Sequence, residues 1–182
     1  MTLQGLRRRL KKTVAEQTTH SDQALGILVC EEALAAAAAK TYGVGAILLD
    51  PGGTVIHRGQ NQVFSPHFRS DLHAEMVVLN AFEEHVPRAK RMRAYTLMSS
   101  LEPCPICLSR LLIAGVQTVK YLAPDDWGGG MVTHMHALPK AWAHLADGRT
   151  FVLADVSAEL RQLALDLFLL NLDMLQKKLW DR

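Results

Sequence analysis

Apolar side chains near the start of the chain recur at helical spacing. Leu3, Leu6, Leu10 and Val14 lie three or four positions apart, which places them on one stripe of an amphipathic helix over residues 2–18. The opposite face of this helix is basic. A second helix is predicted over residues 22–40, because its alanine-rich run continues the helical pattern until glycines interrupt it.

Short apolar runs separated by turn residues predict the strands. A run at residues 44–49 is followed by the turn sequence Asp-Pro-Gly-Gly and then by residues 54–57, so we expect a β-hairpin. Further strands are predicted at residues 93–99, 116–123 and 150–153.

Helix start and stop signals define the remaining elements. Asp71 is a plausible N-cap for a helix ending near residue 84, and a short helix from residue 105 ends at Gly115. A final helix over residues 157–179 is apolar around most of its circumference, so it needs cover from two directions. The order α-α-β-β-α-β-α-β-(β)-α is typical of an α/β sandwich with helices on both faces of a sheet.

Composition restricts the class of protein. The chain has 182 residues, 49% hydrophobic residues and a net charge of +2, which indicates a folded domain and excludes a disordered one. No apolar run is long enough to cross a membrane, and polar residues follow the first basic stretch, so we expect a cytoplasmic protein. The near-balanced charge argues against a large nucleic-acid footprint.

Two short motifs carry candidate chemistry. One is His73-Ala74-Glu75, and the other places Cys104 and Cys107 three positions apart, each at the predicted start of a helix. One imidazole and two thiols are a ligand set that zinc favours, and a fourth tetrahedral position stays open for water. The amides at a helix start favour thiolate, the form of cysteine that binds metal. Zinc activates water near neutral pH, and Glu75 is close enough to move its proton.

The pattern H-x-E followed by P-C-x-x-C resembles the cytidine/deoxycytidylate deaminase superfamily of zinc-dependent nucleobase and nucleoside deaminases. The resemblance covers about residues 22–180 and is strongest at 72–76, 100–108 and the preceding hairpin. The run Ser-Leu-Glu-Pro-Cys ending at Cys104 is most similar to the branch of guanine deaminases, fungal-type cytosine deaminases and bacterial tRNA adenosine deaminases.

The resemblance implies a three-layer α/β/α sandwich with a mixed sheet of about five strands. It also implies one Zn²⁺ per subunit bound by His73, Cys104 and Cys107, with Glu75 as the proton shuttle. We expect a cytidine deaminase-like catalytic domain over residues 21–182, preceded by an N-terminal helical extension over residues 1–20.

Three further residues are candidates for substrate binding. The resemblance implies that the Ala74 backbone amide helps to hold the base and that Asn61 contacts it, although Asn61 could also only cap a turn. Asp125 follows the predicted strand 116–123, in a segment that forms part of the pocket wall in the relatives. Its carboxylate could accept hydrogen bonds from a purine amino group or a ribose hydroxyl, or it could lie in a solvated turn.

Other residues have ordinary structural explanations that are at least as good as functional ones. In the loop that leads to His73, the aromatic residues could stack on a base and the arginine could bind phosphate, or all could simply pack on the neighbouring helix. These residues are Phe64, His67, Phe68 and Arg69. Solvated or core positions are favoured for Cys30, Asp126, Trp127, His134, His136 and the basic runs at 7–12 and 88–93.

The leading hypothesis is hydrolytic deamination of a nucleobase or nucleoside of the guanine, cytosine or adenine type, with release of ammonia. One alternative is a deaminase that edits adenosine to inosine in tRNA, and another is a catalytically silent module that binds RNA or a partner protein. The loop after Ala123 and the end of the last helix lack the basic residues expected beside RNA, and the loop from Asn61 to His73 is one residue longer than usual. These departures favour a small-molecule substrate. Relatives in this branch are commonly dimers, so we also expect a homodimer.

Overall fold

The computed structural model describes residues 1–86, 92–126 and 129–182. Within these ranges, five strands form one mixed sheet in the order β2-β1-β3-β4-β5. The β1 strand is antiparallel to β2 and β3, whereas β3, β4 and β5 run parallel to one another. The strand bounds are β1 Gly45–Leu49, β2 Val55–Gln60, β3 Thr96–Leu101, β4 Thr118–Ala123 and β5 Thr150–Leu153. The predicted α/β fold with about five strands is confirmed.

The hairpin between β1 and β2 closes through the side chain of Asp50. Its Oδ1 atom accepts hydrogen bonds of 2.9 Å from the backbone N–H groups of Gly52 and Thr54. Gly53 has φ +82°, a left-handed conformation that glycine adopts without a steric penalty. The turn sequence therefore determines the hairpin as predicted.

Helices cover both faces of the sheet. In the described part of the chain they are α1 Leu3–Ala15, α2 Gln23–Ala38, α3 Ala74–His85, α4 Pro105–Ala114, α5 Lys140–Ala146, α6 Ala158–Leu169 and α7 Leu172–Trp180. The helices α1, α2 and α6 contact one another, and α3 contacts α4. None of these helices is long and apolar enough to cross a membrane.

Two glycines show that α2 and α3 lie on opposite faces. A Cβ atom on Gly45 would meet the backbone of α2 at Val29, whereas one on Gly59 would meet Val77 and Val78 of α3. Gly59 pairs with Ala46, the neighbour of Gly45. Since successive residues of a strand point to opposite faces, the two helices approach the sheet from opposite sides.

Two predictions for single residues, Val14 and Asp71, were wrong. Val14 is 56% exposed, and Thr13 takes the buried position on α1 because the buried stripe follows a spacing of four then three residues. Asp71 is not the N-cap of α3: it lies in the loop and binds the Arg69 guanidinium, and His73 precedes the helix.

The single helix predicted over residues 157–179 is two helices, α6 and α7, separated at Asn171. The Asn171 amide donates hydrogen bonds to the carbonyls of Ala37 and Thr41, at 2.9 and 3.1 Å. These bonds attach the break to the end of α2. The short α5, which lies next to α4, was not predicted.

Candidate metal centre and pocket

Two helices begin at the candidate metal ligands. His73 is the N-cap of α3, Cys104 is the N-cap of α4, and Cys107 lies in the first turn of α4. Neither N-cap side chain makes a capping hydrogen bond, so both are free to face each other. The Nδ1 atom of His73 is 3.5 Å from the Cys104 Sγ atom, and one ligand atom from each of the three residues lies within 4.8 Å of the other two.

The electrostatics of this cluster differ between the two cysteines. An interaction with the Cys107 thiol and the neighbouring His73 imidazole lower the pKa of Cys104 to about 4, against the effect of burial. Contact with Cys104, then burial and the charge of Glu75, raise the pKa of Cys107 well above its ordinary value. Burial alone would lower the pKa of His73, but the hydrogen bond to Cys104 and the charges of Cys104 and Glu75 outweigh it and raise the pKa.

The donor set fits a zinc ion. One imidazole nitrogen and two sulfurs converge from two helix starts, which matches the ligand types and the spacing that Zn²⁺ takes in proteins. All three residues also line one pocket, so a tetrahedral ion here would keep one position directed toward it. This arrangement is typical of a catalytic site and differs from a closed structural one.

Glu75 lies beside the three ligands and is only 4% exposed. Its Oε1 atom accepts a 3.3 Å hydrogen bond from the Ser99 hydroxyl, and its Oε2 atom accepts one of 3.3 Å from the Cys107 thiol. Burial first, and then the negative charge of Cys104, raise the pKa of Glu75 above its ordinary value. A carboxylate with a raised pKa can both take and return a proton near neutral pH.

The pocket above the ligands has a volume of about 330 Å³. Among the described residues, its lining contains the carboxylates of Glu75, Glu102 and Asp125 and contains no lysine or arginine. One wall is formed by the C-terminal helix α7, through Leu172, Gln176, Leu179 and Trp180. The pocket is therefore acidic at its base and largely apolar at its sides.

The structure brings two of the three expected substrate-binding side chains to this pocket. Asn61 and Asp125 both line it and are both buried. Ala74 is fully buried at the first position of α3 and does not line the pocket with its side chain. Its backbone N–H is one of the helix-start amides that have no partner within the helix.

The remaining candidates occupy other positions. Phe64 and Phe68 pack edge to face with ring centroids 5.3 Å apart, and Phe68 also lines the pocket. Arg69 binds Asp71. The exposed residues are His67, Asp126, His134 and His136, whereas Cys30 is buried in the core and its burial raises the pKa of its thiol. Trp127 and most of the basic run at 88–93 lie outside the described residues.

A family model for the cytidine and deoxycytidylate deaminase zinc-binding region matches residues 19–123 of the chain. The chain belongs to this family. The cluster of His73, Cys104 and Cys107 is therefore a zinc site of a zinc-dependent deaminase family.

Sequence relatives of this deaminase-family chain include proteins named for tRNA. It is 34% identical over 154 residues to a tRNA(Ile)-lysidine synthase of Deinococcus deserti, which covers 79% of this chain and 27% of that protein. It is 34% identical over 95 residues to the tRNA-specific adenosine deaminase of Bacillus subtilis, covering 52% and 57% respectively. The match to a chloroplastic tRNA(adenine(34)) deaminase of Arabidopsis thaliana is 38% over 82 residues, 45% of this chain and 6% of that protein. The chain thus spans less than two thirds of each of these relatives.

Solved structures show the shared fold. A guanine deaminase from Nitrosomonas europaea aligns with a TM-score of 0.62 and 21% identity over 88% of this chain and 92% of that one. A tRNA:A34 deaminase aligns with a TM-score of 0.60 and 24% identity over 70% of this chain and 94% of the other. These likenesses confirm the cytidine deaminase-like fold.

Sequence reasoning missed three features of this deaminase-family site. Ser99 and Glu102 stand in the same Ser-Ser-Leu-Glu-Pro-Cys run as Cys104, so their position beside the motif was a usable signal. The pocket wall formed by α7 had no local signal, because its residues are more than 60 positions away from Cys107 in the chain.

Glu102 holds the loop that carries Asp125. Its Oε2 atom accepts from the Asp125 backbone N–H at 3.1 Å, and its Oε1 atom accepts from that of Val132 at 2.8 Å. Both carboxylate oxygens are thus used by backbone donors on the two sides of one loop. Gly130 passes so close that an added Cβ atom would collide with this carboxylate.

The variant Glu102→Gln should lower the free energy of unfolding by about 2 kcal/mol, since its NH₂ group would face a backbone N–H donor. Urea denaturation followed by circular dichroism measures the change. The control is Glu31→Gln, whose partner Arg58 is at the surface, and it should cost at most about 1 kcal/mol. Equal losses in the two variants would contradict the proposed function of Glu102 in holding the loop.

Zinc binding at pH 7 should release about one proton from Cys107 and a further fraction from His73, because only Cys104 is already deprotonated. Titration calorimetry in buffers of different ionisation enthalpy measures this number. The variant Cys30→Ala, far from the site, should release the same number. Binding heats that do not depend on the buffer would show that no net proton is released and would contradict this protonation pattern.

Proposed function

We propose that the chain is a zinc-dependent hydrolase that removes an exocyclic amino group from a free nucleobase or nucleoside of the guanine, cytosine or adenine type. The observation that carries this proposal is the position of Glu75, a buried carboxylate that is not a zinc ligand and yet contacts a ligand, Cys107, in the lining of the pocket. A structural zinc site has no use for such a group.

The residues of the site have separable functions in this reaction. His73, Cys104 and Cys107 would hold the zinc ion, which when bound supplies activation of water near neutral pH. Glu75 takes a proton from water and passes it to a ring nitrogen, and it then takes the proton of the hydroxyl group added to the ring carbon and passes it to the departing amine. The net change is water and an amino-substituted heterocycle converted to an oxo-substituted heterocycle and ammonia.

Substrate orientation is assigned to three groups around the pocket. Asn61 contacts the base through its side-chain amide, the Ala74 backbone N–H is directed from the start of α3, and Asp125 accepts hydrogen bonds from amino or hydroxyl groups. Asn61 and Asp125 support this assignment because both are buried and line the pocket beside Glu75.

The pocket walls favour a small substrate over tRNA. Protein–RNA contacts depend on lysine and arginine near the phosphates, and neither residue type occurs among the described lining residues. The α7 helix closes one side, and the guanidinium of Arg182 lies 3.5 Å from the ring centroid of Phe68. This contact joins the end of the chain to the loop that leads to His73.

Editing of adenosine in tRNA is the second candidate. The observation in its favour is the 34–38% identity to proteins named as tRNA adenosine deaminases. A catalytically silent module that binds RNA or a partner is disfavoured, because Glu75 and all three zinc ligands are present and adjacent.

We also propose the cytoplasm as the location, since Cys104 and Cys107 must stay reduced to bind zinc. We propose that the catalytic domain spans residues 21–182 and that residues 1–20 are a helical extension; the helix in this segment, α1, contacts α2 and α6.

A screen for ammonia release tests the proposed activity. Wild-type protein should deaminate at least one of guanine, cytosine, adenine, their nucleosides or related triazines, and should act on tRNA far more slowly. Glu75→Gln should lower kcat at least about 100-fold, the usual size of a general acid–base contribution, while one zinc per chain is retained. Glu84→Gln, an exposed carboxylate on the same helix, is the matched control and should keep its activity.

The outcomes of this screen separate the candidates. Turnover of tRNA without turnover of free bases would replace the small-molecule proposal by tRNA editing. Full activity of the zinc-loaded Glu75→Gln variant would contradict the assigned proton transfer. Tight RNA binding without any ammonia release would show that the chain is a binding module.

A homodimer is proposed through the outer face of α4, where Ile106 and Ile113 are 43% and 63% exposed. Apolar side chains this exposed on one helix favour a protein interface. Sedimentation equilibrium of wild-type protein should give the mass of a dimer, and Ile113→Asp should shift it toward the monomer. The exposed Leu169 on α6 provides the control variant Leu169→Asp, and a monomeric wild type would contradict the proposal.

A further inference from the structure

The side-chain amide of Asn61 has an orientation that its neighbours determine. Its Oδ1 atom lies 3.0 Å from the backbone N–H of Val63 and 2.7 Å from the hydroxyl of Thr41. Because a backbone N–H can only donate, the amide atom that faces it must be the oxygen. A reversed amide would place its NH₂ group against that donor.

The hydroxyl of Thr41 takes part in two hydrogen bonds, one as acceptor and one as donor. Thr41 is fully buried, and its Oγ1 atom accepts a 3.2 Å hydrogen bond from the backbone N–H of Phe64. That donor leaves the single hydroxyl hydrogen free to be donated to Asn61 Oδ1. Thr41 therefore acts as acceptor and donor at once, which among aliphatic side chains of this size only a hydroxyl can do.

The nitrogen of the Asn61 amide is left for the pocket. Asn61 is 2% exposed and lines the pocket, and no described residue bonds to its Nδ2 atom. The side chain thus presents a donor, and not an acceptor, to whatever occupies the pocket.

We propose that Thr41 is a positioning residue that locks the Asn61 amide with its NH₂ group toward the substrate, where this group donates to an oxo oxygen or a ring nitrogen. This inference rests on the proposed deaminase function. It adds to that function a residue outside the zinc motifs.

The backbone of Thr41 also connects this lock to the pocket wall. Its carbonyl accepts a 3.1 Å hydrogen bond from Asn171, the residue immediately before α7. The segment that orients Asn61 is thus bonded to the start of the helix that closes the pocket. Thr41 is therefore bonded to both Asn61, through its hydroxyl, and Asn171, through its carbonyl.

Kinetics of Thr41 variants test the lock. Thr41→Val should lower kcat/KM about tenfold, mainly through a higher KM, which corresponds to about 1.4 kcal/mol or one hydrogen bond. Thr41→Ser keeps the hydroxyl and should restore most of the loss. Thr13→Val removes another buried hydroxyl, on α1, that does not line the pocket, and it should leave kcat/KM unchanged.

A double-mutant cycle with Asn61→Ala shows whether Thr41 acts through Asn61. In the Asn61→Ala background, Thr41→Val should cause no further loss of kcat/KM. Fully additive losses would overturn the proposal, because they would mean that Thr41 supports the pocket independently of Asn61. The same cycle run with a substrate analogue lacking the acceptor should show no effect of Thr41→Val.

A readout without turnover separates this inference from the proposed function. The side-chain NH₂ signals of Asn61 are identified in ¹⁵N NMR spectra by their disappearance in Asn61→Asp. In Thr41→Val they should shift and exchange faster with water, whereas in Thr41→Ser they should stay near their wild-type positions. Unchanged signals in Thr41→Val would overturn the lock even in an active enzyme. If the wild type releases no ammonia, the proposed function is wrong. The NMR spectra would still show whether Thr41 orients the Asn61 amide.

Discussion

The convergence of two helix starts at one point is the constraint on which the site depends. His73 and Cys104 both stand immediately before a helix, and neither caps its own helix. Their side chains are free to face each other, and the amides at the start of α4 favour the thiolate form of its cysteines. The sheet fixes this geometry, because β3 leads directly to Cys104 while β2 leads through a loop to His73. Moving either helix by one residue would remove a ligand from the cluster.

Two buried carboxylates near the zinc ligands, Glu75 and Glu102, differ in function because they accept hydrogen bonds from different donors. Glu75 accepts hydrogen bonds of 3.3 Å from the hydroxyl of Ser99 and from the thiol of Cys107, and burial raises its pKa. Glu102 receives two backbone N–H groups at 3.1 and 2.8 Å, which are stronger and fixed donors. The first carboxylate can therefore exchange a proton, whereas the second holds a loop in place. The same residue type thus performs chemistry in one position and organises structure in the other.

Residue type and spacing were sufficient to predict the zinc ligands, the hairpin and the α/β class. The two metal motifs and the turn are each only a few residues long, and the class follows from the order of helical and strand patterns along the chain. The predicted last helix was wrong because distant groups decide where it breaks. Asn171 interrupts it by bonding to Ala37 and Thr41, more than 120 positions earlier, and local pattern contains no information about such long-range partners. The Asp71 error has a local cause. Asp71 binds Arg69, two positions before it, and His73 takes the N-cap position although aspartate is the better cap.

Burial of Asn61 makes the orientation of its side-chain amide important for substrate binding. In water, a misplaced donor costs little because solvent replaces the lost bond, whereas in a buried site the unpaired group has no substitute. Asn61 lies in such a site, with an apolar wall from α7 and no lysine or arginine among the described lining residues. Discrimination between heterocycles is therefore expected to come from a few directed hydrogen bonds more than from charge. The lock at Thr41 is the feature of the fold that gives one of those bonds its direction.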